Sequence, residues 1–341
     1  MVSQLFVKLP KISLHNHLEG AIRPETFFSI ARQKGINLPA DTLEDLLPYI
    51  QVTGEEQNLV DFLAKIDRVT DITQTEDVLA RVVEEIVEDA AKQNIRYLEL
   101  RGGPLVHVRE GLRPEQVLEA ILWGLKVGEQ KYGVKARFIV CALRSDAPED
   151  NLNLAKIAAE YKKQGVVGFD LAGDEAGYPA KLHQQAFRLA KEKGLKITVH
   201  AGEAAGPESV RSAIMDLGAE RIGHGIRSIE DPSLIKLIIE RDIALEVCPT
   251  SNVHTRAVSS LEKHPIKKLY ELGVPIVIGD DDPQISNISL SGELKLLTER
   301  FGFSFRQVCD LQLQAVKYCF LPEEEKEDLL AKMEKELSAF D

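Results

Sequence analysis

Short apolar runs rich in β-branched residues punctuate this chain, and between them lie longer stretches with apolar residues at helical spacing. The runs are ISLHNHLE from 12, IRYLELRG from 95, KARFIVCALR from 135, VVGFDLAG from 166, KITVHAGE from 196, RIGHGIR from 221, IALEVCPTSN from 243 and PIVIGDDDP from 275. Each reads as a strand, and the intervening 75–94, 180–194 and 232–242 read as helices. Thr75, followed by acidic residues, predicts an N-cap, and Gly194 predicts a helix stop. Strands alternating with helices imply parallel pairing, and eight such units imply an α/β fold of the (β/α)8 TIM-barrel type. A doubly wound open sheet is disfavoured, because no GxGxxG turn follows the first strand.

The interval 20–94 is too long for one crossover helix, so it predicts a helical insertion covering the C-terminal mouth of the barrel. Helices are also expected over about 290–341. The tail PEEEKEDLLAKMEKELSAF reads as an amphipathic helix with Glu and Lys on its outer face. No internal repeat, low-complexity tract or linker interrupts the pattern, so residues 1–341 are expected to form a single domain.

Composition narrows the function classes. A formal net charge of -12 argues against a nucleic-acid or anionic-membrane surface and leaves a small-molecule substrate. Cys141, Cys248, Cys309 and Cys319 are scattered without a CxxC, which suits a reducing compartment. The N-terminus carries no sustained apolar region or cleavage site, and no stretch reaches the ~18 apolar residues of a membrane helix. A soluble, cytoplasmic protein is expected; its oligomeric state is not legible.

In a barrel of this kind the chemistry gathers at the carboxyl ends of the strands. His15, His17 and Glu19 end the first predicted strand; Asp170, Gly173, Asp174 and Glu175 end the fourth; His200, Gly202 and Glu203 end the fifth. His224 lies between glycines on the sixth, Cys248, Ser251 and Asn252 follow the seventh, and Asp280, Asp281 and Asp282 end the eighth. Two imidazoles at i and i+2 on one face of a strand make poor core but suit a metal. Three imidazoles and a carboxylate form a nitrogen–oxygen set suited to one Zn2+, with Fe2+, Co2+ or Mn2+ as alternatives. His15, His17 and His200 are the expected nitrogen ligands; Asp281 is the expected carboxylate, although spacing alone does not exclude Asp280. Glu203, beside a ligand histidine, is positioned as a general acid or base, and His224 as an electrostatic aid.

SLHNHLEGAIRPET, FDLAGDE, ITVHAGE, RIGHGIR, CPTSN and DDP occur here in the order found in the adenosine deaminase family of metal-dependent amidohydrolases, which the chain resembles over residues 10–283. The resemblance implies the barrel fold and hydrolytic deamination of adenosine, and of 2′-deoxyadenosine, to inosine and ammonia by a zinc-activated water. It implies His15, His17, His200 and Asp281 as metal ligands, and Glu203 as the acid that protonates purine N1. His224 and Asp281 match residues that orient the water, Asp282 the one that binds N7, and Gly173 the one that meets N3. His17 and Glu19 match positions near the ribose.

Two positions depart from the family pattern: Glu19 stands where Asp is common, and Asp280 where a small or hydroxylic residue is usual. The first leaves a deaminase of adenine, or of a 5′-modified adenosine such as aminodeoxyfutalosine or methylthioadenosine, as the alternative. The second raises the expectation of an extra carboxylate beside the metal. A cytidine-deaminase-type site is excluded by the absence of PCxxC, and a two-metal hydrolase by the absence of a Lys at the fourth strand end. A catalytically inactive nucleoside-binding barrel is the remaining rival.

Overall fold

Why short apolar runs become strands rather than helices is visible in what they pack against. In a computed structural model, which describes residues 4–340, β1 (Lys11–His17), β2 (Ile95–Gly102), β3 (Lys135–Leu143) and β4 (Val166–Ala172) are followed by β5 (Lys196–Ala201), β6 (Arg221–His224), β7 (Ala244–Val247) and β8 (Ile276–Ile278). They pair in parallel in chain order from β1 to β8. Both faces of these strands are buried, one on the barrel interior and one on the surrounding helices, which is why the sequence shows runs and not alternation. The (β/α)8 barrel is thus the observed fold.

Closure of the barrel is made by the residues of chemical interest. β8 meets β1 through a bridge between Asn16 and Asp281. His17 N donates to Asp281 O at 2.8 Å, and Asp281 N donates to His15 O at 3.0 Å. The same hydrogen bonds that seal the sheet bring the first and last strand ends together.

Helix expectations hold with local differences. The segment 75–94 forms the helix Glu76–Lys92; Thr75 occupies its N-cap position with extended backbone but makes no side-chain cap bond. The segment 180–194 begins with a 3-10 turn, Ala180–His183, before the helix Gln184–Glu192, and Gly194 beyond it takes φ +82°. The segment 232–242 gives the helix Pro232–Glu240. Three predicted strands stop early, β8 at Ile278. β6 ends where His224 and Gly225 both take left-handed backbone, at φ 59° and 69°. β7 ends at Val247 because Pro249 opens the short helix Pro249–His254.

The insertion between β1 and β2 supplies the helices Pro24–Lys34, Leu43–Ile50 and Leu59–Val69. After β8 come Leu290–Arg300, Phe305–Tyr318 and Glu323–Leu337, the last burying Leu329, Met333 and Leu337 at spacings of four. All four cysteines are buried and none forms a disulfide. Among the described residues no helix is long and apolar enough to cross a membrane.

The barrel interior is unusual in being charged below its mouth. Arg101 pairs with Asp170 at 3.0 Å and Glu246 at 2.7 Å; Arg221 pairs with Glu246 and Glu99, each at 2.6 Å. All five side chains are buried. Isolated, each would be costly there; as a connected network each charge has partners.

Candidate active site

At the carboxyl ends of the strands, five functional groups crowd one point. His15 Nε2 lies 3.0 Å from Asp281 Oδ1, His17 Nε2 lies 3.3 Å from the same oxygen, and His17 Nε2 is 3.1 Å from His200 Nε2. His15, His200, His224 and Asp281 each place a ligand atom within 4.8 Å of the others. Ligand atoms around a tetrahedral ion with bonds of about 2.0–2.2 Å stand roughly 3.3–3.6 Å apart, and the 3.0–3.3 Å separations here are within a few tenths of an ångström of that. His15 Nε2 is fully buried and makes no hydrogen bond. A buried ring nitrogen in that condition is destabilising unless something binds it, and a cation fits.

The donors are aimed by a layer of partners. His15 Nδ1 donates to Glu246 Oε2 at 2.7 Å, and His200 Nδ1 donates to Asp170, 3.0 Å from Oδ2. Burial pushes both carboxyls upward, but His200 and Arg101 around Asp170, and Arg101 and Arg221 around Glu246, outweigh it and hold them well below the carboxylate range. Ionised carboxylates only accept, so Nδ1 carries the proton in both rings and Nε2 is left as a lone pair facing the centre. Asp281, with φ 57°, accepts from Ser251 Oγ at 2.6 Å.

His224 is wired the opposite way. Ile266 N donates to His264 Nδ1 at 3.1 Å, so His264 Nε2 donates to Asn252 Oδ1 at 3.2 Å, and Asn252 Nδ2 donates to His224 Nδ1 at 3.0 Å. With Nδ1 accepting, the His224 proton sits on Nε2, 3.4 Å from Glu203 Oε2 and 3.9 Å from Asp281 Oδ2. His224 is a donor into the site, whereas His15 and His200 are acceptors.

Glu203 is buried, and burial followed by the nearby Asp281 carboxylate raises its pKa to about 8. Thr255 Oγ1 donates to its Oε1 at 2.8 Å. The loop that carries it is held by Glu175, whose carboxylate accepts from the backbone N–H groups of Gly202, Glu203, Ala204 and Ala205 at 2.6–3.0 Å. Asp282 has an unpartnered buried Oδ1, and burial plus the Asp281 charge push its pKa well up. A Cβ on Gly20 would sit 1.8 Å from that oxygen, so only glycine fits there.

Asp280 corrects an expectation. It does not stand beside the cluster: Oδ1 accepts from Asn16 Nδ2 and Oδ2 from Leu290 N, both at 3.0 Å, so it caps the helix Leu290–Arg300. Successive residues at the strand end point in different directions, which spacing could not reveal. Gly173 (φ +97°), Glu19, Asp282, Glu203, His17, His200 and His224 line one cavity, walled opposite by Leu59, Phe62, Leu63 and Ile66 of the insertion. Asp281 lines the same cavity; His15 does not line it, but its Nε2 lies 3.0 Å from Asp281 Oδ1. Sequence reasoning assigned no role to Glu246, Arg101, Thr255 or the insertion's apolar wall; the signals available were the lone charge inside the apolar run IALEV and the three charges among the apolar residues of IRYLELRG.

Residues 10–336 match the family model described as Adenosine deaminase. The chain is 40% identical to a protein named adenosine deaminase from Shewanella loihica over 324 residues, 95% of this chain and 98% of that one. Among solved structures it is similar to an adenine deaminase from Arthrobacter aurescens, with a TM-score of 0.90, 27% identity, and coverage of 97% of this chain and 99% of that one. It is also similar to an amidohydrolase from Burkholderia ambifaria with bound Zn, with a TM-score of 0.89, 25% identity, and coverage of 98% and 92%.

Proposed function

The chain belongs to the adenosine deaminase family, and from that premise we propose that it hydrolyses adenosine, and 2′-deoxyadenosine, to the inosine product and ammonia. The observation that carries the reading is that His17, His200 and Asp281 line one cavity with a buried acid, Glu203, while His15 Nε2 stands 3.0 Å from Asp281 Oδ1. His15, His17, His200 and Asp281 would hold one divalent cation, Zn2+ by donor type. His17 rather than His224 completes the set, because His224 presents N–H and not a lone pair. A cation bound there would supply a water of pKa about 7, and so a nucleophile at neutral pH.

The protein groups supply the rest. Glu203, protonated below about 8, gives its proton to purine N1, which makes C6 electrophilic enough for addition. His224 Nε2–H and the Asp281 carboxylate orient the attacking water from opposite polarity. Asp282, kept as a neutral carboxyl, donates to an acceptor at the N7 position, and Gly173 brings backbone to the N3 edge. Enclosure of the base strengthens each of these interactions. The lining contains neither lysine nor arginine among the described residues, and Glu19, Asp67 and Asp174 border it, an arrangement that repels a phosphate. We therefore read the substrate as an unphosphorylated nucleoside.

The test is ammonia release and the ultraviolet change of the purine, using metal-loaded protein with adenosine, 2′-deoxyadenosine, adenine and 5′-thio or 5′-extended adenosines. Adenosine and its 2′-deoxy form are expected to turn over. Turnover of adenine alone would move the assignment to the free base, and release from none would overturn it.

A further inference from the structure

We propose that Glu293 is a positioning residue that clamps the short helix Pro249–His254 as a template aligning three catalytic groups at once; this rests on the deaminase reading above. Ser251 Oγ donates to Asp281 Oδ2 at 2.6 Å, and Asn252 Nδ2 donates to His224 Nδ1 at 3.0 Å. Thr255, the C-cap of the same helix, donates from Oγ1 to Glu203 Oε1 at 2.8 Å. One element thus holds both groups assigned to orienting the water and the acid assigned to protonating the base.

A helix this short has little stability of its own, so its place is set by what anchors it. Its N-cap, Cys248, makes no side-chain cap bond, and the N–H groups of the first turn need an acceptor from elsewhere. Glu293, buried and 43 residues further along, supplies one. Thr250 N donates to its Oε2 at 2.9 Å, and the Thr250 hydroxyl donates to its Oε1. On the other side, His264 Nε2 steadies the Asn252 amide oxygen at 3.2 Å. Glu293 does not line the cavity, so its influence on the chemistry passes through the helix it holds.

Glu293 is itself fixed. It lies in the first turn of the helix Leu290–Arg300, where Asp280 Oδ2 accepts from Leu290 N at 3.0 Å. Because Asp280 and Asp281 are consecutive, the contacts close a circuit that runs from Asp281 to Ser251, from Thr250 to Glu293, from Leu290 to Asp280, and back along the chain. Slack accumulates along an open chain of contacts, whereas in a closed circuit a shift of one member strains the others. A displacement of about 1 Å in a catalytic group can cost roughly a hundredfold in rate, so a clamp outside the cavity still governs turnover.

Steady-state kinetics with adenosine on metal-loaded protein, with metal content and melting temperature measured on the same samples, tests this. Glu293→Ala is expected to lower kcat about 10–100-fold while KM moves less than about threefold, since Asp282 and Gly173, assigned to the purine, are not on this helix. Glu293→Gln keeps an oxygen for Thr250 N and offers an N–H to the Thr250 oxygen, and is expected to restore kcat to within about threefold of wild type. Thr250→Val, which removes the hydroxyl alone, is expected to lose about three- to tenfold in kcat, and it decides the matter if Glu293→Ala does not fold. Ser304→Ala, which removes the cap of the helix Phe305–Tyr318, should also melt lower yet keep kcat within about twofold. The proposal is overturned by unchanged kcat in Glu293→Ala or Thr250→Val, by a Glu293→Gln protein as impaired as Glu293→Ala, or by an equal kcat loss in Ser304→Ala. Each of those results, with wild type turning over adenosine, defeats this inference alone; wild type that deaminates no aminopurine defeats the deaminase reading and takes the inference with it.

Discussion

Replacing Glu203 by Gln removes one transferable proton and almost nothing else. The amide is isosteric, its oxygen keeps the Thr255 hydroxyl bond, and the loop stays pinned through Glu175, which contacts backbone and not the Glu203 side chain. The structure also sets the size of the effect. With a pKa of about 8 in place of 4.5, the carboxyl is mostly protonated at pH 7, roughly 300-fold more than an ordinary glutamate at that pH. General acid catalysis by such a group contributes about 10²–10⁴-fold, and we expect kcat to fall by that factor while the metal stays bound. The assay is purine absorbance change across pH 5–10 with metal quantified in the same samples. Wild-type kcat should decline as pH rises through a limb at or below about 8, since a cation in the adjoining cluster moves the limb down; the variant should lack it. A Glu203→Gln enzyme within tenfold of wild type, or one that retains the alkaline limb, would refute the assignment.

Other consequences are open to measurement. Because Glu203 is protonated in the fold and ionised when unfolded between pH 4.5 and about 8, wild-type stability should fall as pH rises across that window, and Glu203→Gln should melt higher than wild type at pH 8.5 by differential scanning fluorimetry. Glu246→Gln should weaken Zn2+ binding about 10–100-fold by competition with a chelator, and cost roughly 3–5 kcal/mol of stability in urea, because His15, Arg101 and Arg221 share that carboxylate; unchanged Zn2+ affinity would remove Glu246 from the aiming of His15. Gly20→Ala should abolish detectable adenosine turnover, since the added carbon overlaps Asp282 Oδ1; normal KM and kcat in a folded variant would show that Asp282 is not placed as described. Burial lowers the His264 pKa to about 4, so stability should drop as pH falls from about 6.5 toward 4, and His264→Asn should flatten that drop in chemical-denaturation profiles.

Much of this protein is legible without coordinates because strands buried on both faces leave a continuous apolar run, and a polar side chain at the end of such a run has few reasons to be there. HNH after the first run, HAGE after the fifth and DDP after the eighth mark one rim of a barrel for that reason, and the long interval before the second strand marks its cover. Direction is what the sequence does not encode locally. Asp280, Asp281 and Asp282 are adjacent and chemically identical, yet one caps a helix, one faces the histidines and one keeps an unpartnered oxygen in the cavity; left-handed backbone at Asp281 and the bridge to Asn16 decide which is which. The histidines differ in the same way: Glu246 and Asp170 make His15 and His200 acceptors, while the Asn252–His264 chain makes His224 a donor. Those direct partners lie 28 to 231 residues away along the chain, and a hydrogen bond is fixed by distance and angle in space, so only the folded barrel could assign the proton on each ring.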